Sequence, residues 1–266
     1  MVNSVKRNNG RTFQQVRPIK TTYNIAGNAD ASVLFELGNT KVLCTVVLQD
    51  GVPAFLRNSG TGWLTAEYAM LPGATLQRTQ REASTMKKNG RSIEISRLIG
   101  RCLRAVVDLK ALGERTIYID CDVIQADGGT RTAAITGAYC ALHAATTEWI
   151  KTKKMNPILQ DTVGALSVGL SQDHILLDID YDEDSTCDAD VNFVMTGSGA
   201  VIEVQGATES KPFDWNVIER MRKLAQGAIS HMLLELCVAS VPEHVTKSVH
   251  LSVTLGDLQK FKEKIS

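Results

Sequence analysis

The sequence predicts an α+β fold in which one pattern of elements occurs twice. β-rich runs and amphipathic helical segments follow one another along the chain. The strand, polar turn and strand of residues 32–49 return at residues 163–180. A polar linker around Asn156–Pro157 separates the two occurrences. These observations indicate two α+β halves packed together.

The composition agrees with a folded domain of ordinary type. Apolar residues make up 44% and charged residues 22% of the 266 residues, close to the averages of globular proteins. A chain of this length buries a substantial core. We expect a single domain over residues 1–266, with halves of about residues 10–150 and 157–240.

The elements of the first half follow from local patterns. Residues 32–49 form two β-rich runs around Gly-Asn-Thr and predict a hairpin, and Trp63–Met70 predicts a further strand. Apolar residues at helical spacing predict a helix from Ser92 to Leu112, with Gly113 at its end. Alternation of apolar and polar residues predicts a half-buried strand at Thr116–Ile124.

The remaining elements continue the same alternation of strands and helices. After Gly128-Gly129, an Ala-rich helix is expected to run to about Ile150. In the second half, strands are expected at Val191–Met195 and Val201–Val204, followed by a long helix from Asp214 to about Ala239.

Neither a membrane segment nor a cysteine framework is expected. No apolar run approaches the roughly 20 residues that span a bilayer. The N-terminal residues MVNSVKRNNGR lack an apolar signal core. The six cysteines form no C-x-x-C pair and mostly lie in apolar segments, as buried free thiols do. We expect a cytoplasmic protein without a membrane partner.

Charge is balanced over the whole chain but uneven locally. Lys plus Arg and Asp plus Glu number 29 each. The stretch from Arg78 to Arg104 is mostly basic, and the stretch from Asp178 to Asp190 is almost entirely acidic. The two stretches either meet in one site or form two separate solvated faces.

The segment Asp127–Thr132, with the sequence DGGTRT, is a candidate phosphate-binding loop. Its two glycines allow a tight turn, and the first N–H groups of the following helix lack internal partners. Thr130 adds a hydroxyl donor and Arg131 a planar guanidinium that matches phosphate oxygens. The alternative is a simple turn in which Thr130 or Asp127 caps the helix.

The acidic stretch is a candidate metal site. In an EF-hand register that starts at Asp178, Glu183 stands in place of the required Gly and Ala189 in place of the final Glu. A Mg²⁺ site needs only one or two carboxylates together with substrate phosphates and fits better. A charged surface loop is the alternative. A P-loop, a dinucleotide fingerprint and a hydrolase triad are all missing from the sequence.

Long blocks of the chain resemble bacterial ribonuclease PH. They include FLRNSGTGWLTAEYAMLPGAT, NGRSIEISRLIGRCLRAVVDLKALGERTIYIDCDVIQADGGTRTAAITGA and LLDIDYDEDSTCDADVNFVMTGSG, within residues 10–226. The resemblance implies the RNase PH fold, with duplicated β-α-β-α halves, mixed sheets and packed helices, and a homohexameric ring. It also implies a Mg²⁺-dependent phosphorolytic 3′→5′ exoribonuclease. Such an enzyme trims RNA, here precursors of transfer RNA, with inorganic phosphate as co-substrate and releases nucleoside 5′-diphosphates.

The resemblance also implies roles for individual residues. Phosphate binding falls on Arg91, Gly129, Thr130 and Arg131, catalysis and metal binding on Asp184 and Asp190, and RNA binding on Arg78 and Arg81. The aspartates are either metal ligands or a proton donor. A non-catalytic RNA-binding ring subunit and a Mg²⁺-dependent nucleotide hydrolase are the alternative functions.

Two positions depart from the family pattern. Gly73 and Ala200 stand where arginines are common in the family, which affects the grip on RNA more than the reaction centre. The alternative for Gly73 is a turn that requires a positive φ.

Overall fold

The structure is a computed structural model that describes residues 7, 10–82, 89–208, 212–237 and 246–249. Its strands and helices alternate along the chain. In order they are β1 (Ile19–Tyr23), β2 (Ala31–Leu37), β3 (Thr40–Asp50), β4 (Trp63–Met70), α1 (Gly90–Arg104), α2 (Leu109–Leu112), β5 (Arg115–Gln125), α3 (Thr130–Thr152), β6 (Val163–Ser171), β7 (His174–Leu177), α4 (Tyr181–Asp184), β8 (Ala189–Thr196), β9 (Val201–Thr208), α5 (Trp215–Cys237) and β10 (Thr246–Val249).

The strands form two sheets. The first has the order β10-β1-β2-β3-β5-β4, and within it β4 runs parallel to β5 while the other described pairs are antiparallel. The second has the order β7-β6-β8-β9 and is antiparallel. The parallel pair arises because α1 connects β4 to β5 as a crossover. The predicted α+β class is confirmed.

Helix α3 lies between the two sheets. A Cβ atom added to Gly137 would lie only 2.8 Å from Phe35 Cβ of β2 and 2.9 Å from Cys44 Sγ of β3. The other side of the helix reaches β6, where Thr136 Oγ1 accepts a hydrogen bond of 3.1 Å from the backbone N–H of Ala165. Small residues therefore let α3 approach both sheets closely, and its N-terminus is fixed between them.

The helix predicted from Ser92 to Leu112 is interrupted, so that prediction was wrong in extent. Helix α1 ends at Arg104, and α2 begins after Asp108, whose side chain accepts from two N–H groups of the new helix. Between them the backbone pairs with the linker to the second half, since Val107 forms a β-bridge with Leu159. Gly113 ends α2 with a φ of +69°. Tertiary pairing thus overrides the apolar periodicity.

The other predicted elements are present with small shifts at their ends. The hairpin of β2 and β3, the strands β4 and β5 and the Ala-rich helix α3 lie where the patterns placed them. The expected end of the last helix near Ala239 is outside the described residues. Five cysteines, at positions 44, 102, 121, 140 and 187, are free and buried.

Strand β10 was not predicted. It follows α5 in the chain and returns to the first sheet, where it pairs antiparallel with β1. The division of the chain into the two proposed halves stays a prediction. Within the described ranges, no helix is both long and apolar enough to span a lipid bilayer.

Candidate functional site

The N-termini of α1 and α3 open on the same pocket. Gly128 and Gly129 precede α3 with φ values of +72° and +64°, a conformation that other residues rarely adopt. Gly129 is the N-cap, and no described side chain caps the helix. The alternative in which Thr130 or Asp127 caps α3 is therefore wrong. The uncapped N–H groups favour an anion at this point.

The pocket has a volume of about 470 Å³ and collects residues that are distant in the sequence. Those with a predicted role that line it are Arg91, Gly129, Thr130, Arg131, Asp184 and Asp190. The structure thus places every phosphate-binding and catalytic candidate in one cavity. What each residue does there stays a prediction.

The acidic wall of the pocket consists of Asp184, the last residue of α4, and Asp190 near the start of β8. Cys187 lies between them, and burial together with the charges of the two aspartates raises its pKa to about 11. Both carboxylates therefore act on the same small volume.

The described residues contain no group of three or more His, Cys, Asp and Glu side chains that could hold a metal ion. A pair of carboxylates still fits Mg²⁺, which retains several waters and takes its remaining ligands from substrate phosphates. Asp184 and Asp190 have the hard oxygen donors that this ion prefers.

Arg131 is positioned by two polar neighbours. Its Nη1 group donates to Gln205 Oε1 of β9 at 2.6 Å and lies 3.6 Å from Glu94 Oε1 of α1. Gln205 Nε2 in turn donates to the same Glu94 oxygen at 3.0 Å. A guanidinium has five N–H donors, so these contacts orient Arg131 and leave donors for a bound anion.

Tyr68 of β4 contacts the candidate phosphate-binding loop. Its hydroxyl lies 3.0 Å from Thr130 Oγ1, and both side chains are buried. Burial raises the pKa of the Tyr68 phenol, so the phenol keeps its proton and is a donor at neutral pH. Sequence reasoning assigned Tyr68 to a strand and missed this contact.

The acidic stretch is paired with arginines near the N-terminus that the sequence analysis did not single out. Arg17 binds the fully buried Asp178 with Nη2 to Oδ1 at 2.7 Å and Nε to Oδ2 at 2.9 Å. The same guanidinium donates to the backbone carbonyl of Asp127, directly before the two glycines. Arg17 therefore joins the acidic stretch to the candidate phosphate-binding loop.

Arginines near the N-terminus also fix the position of helix α4. Glu183 completes a capping box with Asp180 and accepts hydrogen bonds from Arg7 and Arg11. Because Asp184 follows Glu183 directly, these contacts also fix the backbone that carries the candidate catalytic carboxylate.

The basic stretch meets the acidic one only in part. Among its described members, Arg91 lines the pocket. Arg101 instead pairs with Glu203 at 2.6 Å, and Arg104 lies over the Trp63 ring at 4.8 Å from the centroid. Among the described residues of the basic stretch, Arg91 alone lines the pocket with residues of the acidic stretch. The expected meeting of the two stretches is therefore confirmed for this one arginine.

The predicted RNA-binding residues lie apart from the pocket. Arg78 and Arg81 are exposed. Burial raises the pKa of Asp122 on β5, and the charge of Arg81 opposes that rise. Gly73 is exposed, its φ is not in the left-handed range and no described atom lies within 4 Å of an added Cβ. The alternative that Gly73 serves a positive-φ turn is wrong.

Comparisons with known proteins identify the family. Residues 15–148 match domain 1 and residues 161–228 match domain 2 of the 3′ exoribonuclease (RNase PH) family. The chain therefore belongs to this family, and the predicted RNase PH fold is confirmed.

Solved structures show the same fold at low sequence identity. The Archaeoglobus fulgidus exosome with RNA bound to the active site has a TM-score of 0.71 at 19% identity, over 86% of this chain and 91% of that chain. An archaeal exosome core has a TM-score of 0.69 at 19% identity, over 87% and 91%. Rice (Oryza sativa) Rrp46 has a TM-score of 0.70 at 18% identity, over 86% and 97%.

Proposed function

We propose that this protein is a phosphorolytic 3′→5′ exoribonuclease that uses inorganic phosphate and releases nucleoside 5′-diphosphates. The observation that carries the proposal is the pocket in which Arg91 and Arg131, each at the start of a helix, face Asp184 and Asp190. Membership of the 3′ exoribonuclease family supports the choice of RNA as the polymer.

The residue types suit an attack of one anion on another. Phosphate and an RNA phosphodiester repel each other, so a site must neutralise charge before they approach. Arg91, Arg131 and the uncapped N–H groups of α3 supply positive charge and donors for this purpose. Phosphate is already a nucleophile at neutral pH, which agrees with a site that has no histidine among its described lining residues.

Asp184 and Asp190 have one of two roles in this proposal. As metal ligands they would hold a Mg²⁺ ion, which when bound stabilises negative charge on phosphoryl oxygens and on the leaving 3′ oxygen. Alternatively, one of them donates the proton to that leaving oxygen. In both roles the carboxylates must lie beside the scissile phosphate, as their shared place in the pocket allows.

The substrate and assembly are part of the proposal. We infer that the substrates are 3′ ends of transfer RNA precursors, that the protein forms a homohexameric ring and that it acts in the cytoplasm. Exposed Arg78 and Arg81 would contact the RNA body outside the pocket. The relative solved with RNA in its active site is an exosome, which supports an RNA-binding assembly.

The test is to incubate the purified protein and Mg²⁺ with 3′-labelled RNA, with and without inorganic phosphate. Nucleoside diphosphates that form only with phosphate are the expected result. Arg131→Ala should raise the phosphate concentration needed by about one to two powers of ten, because a hydrogen bond to a charged group contributes roughly 1.5–3 kcal/mol. The variant should remain folded, as judged by circular dichroism.

Two outcomes would contradict the proposal. Nucleoside monophosphates released without phosphate would indicate a hydrolase that uses the same carboxylates. If the wild-type protein bound RNA but released no nucleotides, and Asp190→Asn behaved in the same way, the protein would be a non-catalytic ring subunit.

A further inference from the structure

The pocket contains a buried hydroxyl that no role assigned so far explains. Ser167 of β6 is 4% exposed, and its Oγ atom has no hydrogen-bond partner among the described residues. A buried polar group without a partner is costly in a folded protein, and it requires an explanation such as a bound ligand. Ser167 also lines the pocket, so a ligand there is close at hand.

The strand register places Ser167 beside the acidic wall. Ser167 is the Cα partner of Asn192 on β8, and Asn192 is two residues from Asp190. Residues opposite each other or two apart on neighbouring strands share one face of a sheet. Ser167, Asn192 and Asp190 therefore lie on one face, and all three line the cavity that the start of α3 also lines.

The backbone of Ser167 is fixed as well. Its carbonyl accepts a hydrogen bond of 2.7 Å from the N–H of Asp178, the buried partner of Arg17. The backbone at this position is thus anchored to the buried ion pair while the side chain is left without a partner. This combination is expected of a residue held in place to bind something else.

We propose that Ser167 is a phosphate-binding residue of this site, whose hydroxyl donates to an oxygen of the inorganic phosphate held at the start of α3. The inference rests on the proposed function and adds a residue of β6 to its phosphate-binding groups. A hydroxyl suits this position because it donates to an anion without adding a charge beside Asp184 and Asp190. Ser167 binds phosphate directly and takes no part in proton transfer.

The experiment measures binding of inorganic phosphate alone, by calorimetry with Mg²⁺ present and no RNA. Ser167→Ala should weaken phosphate binding about tenfold or more, as expected for one hydrogen bond to a charged group. Without phosphate, the melting temperature of the same variant should equal that of the wild-type protein or exceed it by up to a few degrees, because the substitution removes an unpaired buried hydroxyl. A residue with a merely structural role would lower the melting temperature.

The chain offers a matched control. Thr21 on β1 is fully buried, its Oγ1 atom also has no described partner and it is not among the residues that line the pocket. Thr21→Val removes that hydroxyl with little change in volume and should leave phosphate affinity unchanged. If Ser167→Ala does not fold, Ser167→Cys keeps a similar shape with a weak donor and should also lose affinity.

Unchanged phosphate affinity in a folded Ser167 variant would overturn the inference, and so would a wild-type protein that binds no phosphate. The proposed function is judged separately by the products formed from RNA. If the protein bound phosphate through Ser167 but released no nucleoside diphosphate from RNA, the phosphate-binding role of Ser167 would stand. The proposed reaction would then be contradicted.

Discussion

In the proposed phosphate site, the directions of single hydroxyl groups determine which donors are available to an anion. Thr130 can donate only one O–H, and the direction of that bond depends on its neighbours. The Tyr68 phenol is the more acidic hydroxyl of the pair and therefore the better donor, so Tyr68 donates and Thr130 Oγ1 accepts over 3.0 Å. The Thr130 hydrogen is then directed away from Tyr68 and is available to an anion.

Tyr68→Phe tests this positioning role. The change removes one hydroxyl and keeps the ring, so the core around β4 should stay packed. We expect the KM for phosphate to rise about two- to tenfold, with kcat at saturating phosphate nearly unchanged, since one neutral hydrogen bond contributes roughly 0.5–1.5 kcal/mol. Tyr118→Phe, on the partly exposed side of β5, is the control and should change neither constant. A fall in kcat with an unchanged KM would contradict the positioning role.

Local sequence patterns could predict some site residues but not others. Gly129, Thr130 and Arg131 lie together where a turn enters α3, and their contiguous residue types indicate phosphate binding. Asp184 and Asp190 lie in one acidic stretch, but the resemblance to ribonuclease PH was needed to select these two aspartates. Tyr68 acquires its role from a partner 62 residues away and Arg17 from one 161 residues away. Such contacts depend on how β4 and the N-terminal segment pack against distant parts of the chain. No local sequence pattern predicts that packing.

Among the elements, α4 is the helix whose stability depends most on contacts with the rest of the protein. A helix of four residues is not stable by itself, because nucleation of a helical turn is unfavourable. Its capping box and the arginines bound to Glu183 supply the missing stability. The N-terminal segment therefore has a direct influence on where Asp184 lies.

Asp178→Asn tests the ion pair that anchors this region. Asp178 has a φ of +54°, which asparagine tolerates, so the substitution mainly removes charge. The buried Arg17 guanidinium would lose its counter-charge, and we expect the free energy of unfolding to fall by about 3–5 kcal/mol in urea titrations. Asp173→Asn is a matched control, since Asp173 is exposed and also has a positive φ of +67°. Equal stability of the two variants would contradict the anchoring role.

The same pair predicts how stability depends on pH. Burial opposes ionisation of Asp178, but the charge and hydrogen bonds of Arg17 outweigh it and hold the pKa of Asp178 below its usual value. A lowered carboxylate pKa stabilises the fold above the unfolded value near 4, and that contribution is lost as pH falls through the folded pKa. Wild-type protein should lose this stability in acid, while Asp178→Asn lacks it at every pH.

Among the elements, periodicity predicted which strands and helices form better than it predicted where the helices end. The alternation of β5 and the hairpin of β2 and β3 predicted those elements closely. The break between α1 and α2 could not be predicted, because it depends on pairing of Val107 with Leu159 in the linker. The same holds for β10, whose partner β1 is at the other end of the chain.

For the whole molecule, the proposed binding of RNA must depend on where charges lie, since acidic and basic residues are equal in number at 29 each. Gly73, Arg78 and Arg81 are exposed and belong to one segment that follows β4. The position of Gly73 has room for a longer side chain and no unusual backbone angle. The resemblance to ribonuclease PH implies that one cation is missing at this position, in the segment that carries Arg78 and Arg81.

Gly73→Arg should restore that cation. We expect tighter binding of a transfer RNA precursor and a steeper dependence of binding on salt, by about 0.7–0.9 in the logarithmic slope for each added phosphate contact. Phosphorolysis of a short single strand, which offers few phosphates to this segment, should change little. Binding measured at several salt concentrations, with the two RNAs compared in parallel, checks the prediction.

The control must add the same charge elsewhere at no greater structural cost, and Gly27 meets this requirement. It is exposed, has no positive φ and has no described atom within 4 Å of an added Cβ. Its loop lies beside the C-terminal end of α3, where Asp30 binds Lys153 at 2.8 Å, whereas the pocket is at the N-terminal end, about 34 Å along a helix of 23 residues. Gly27→Arg should therefore leave the salt slope near the wild-type value. Equal slopes for the two arginine variants would show that net charge, and not a contact at residue 73, governs the grip on RNA.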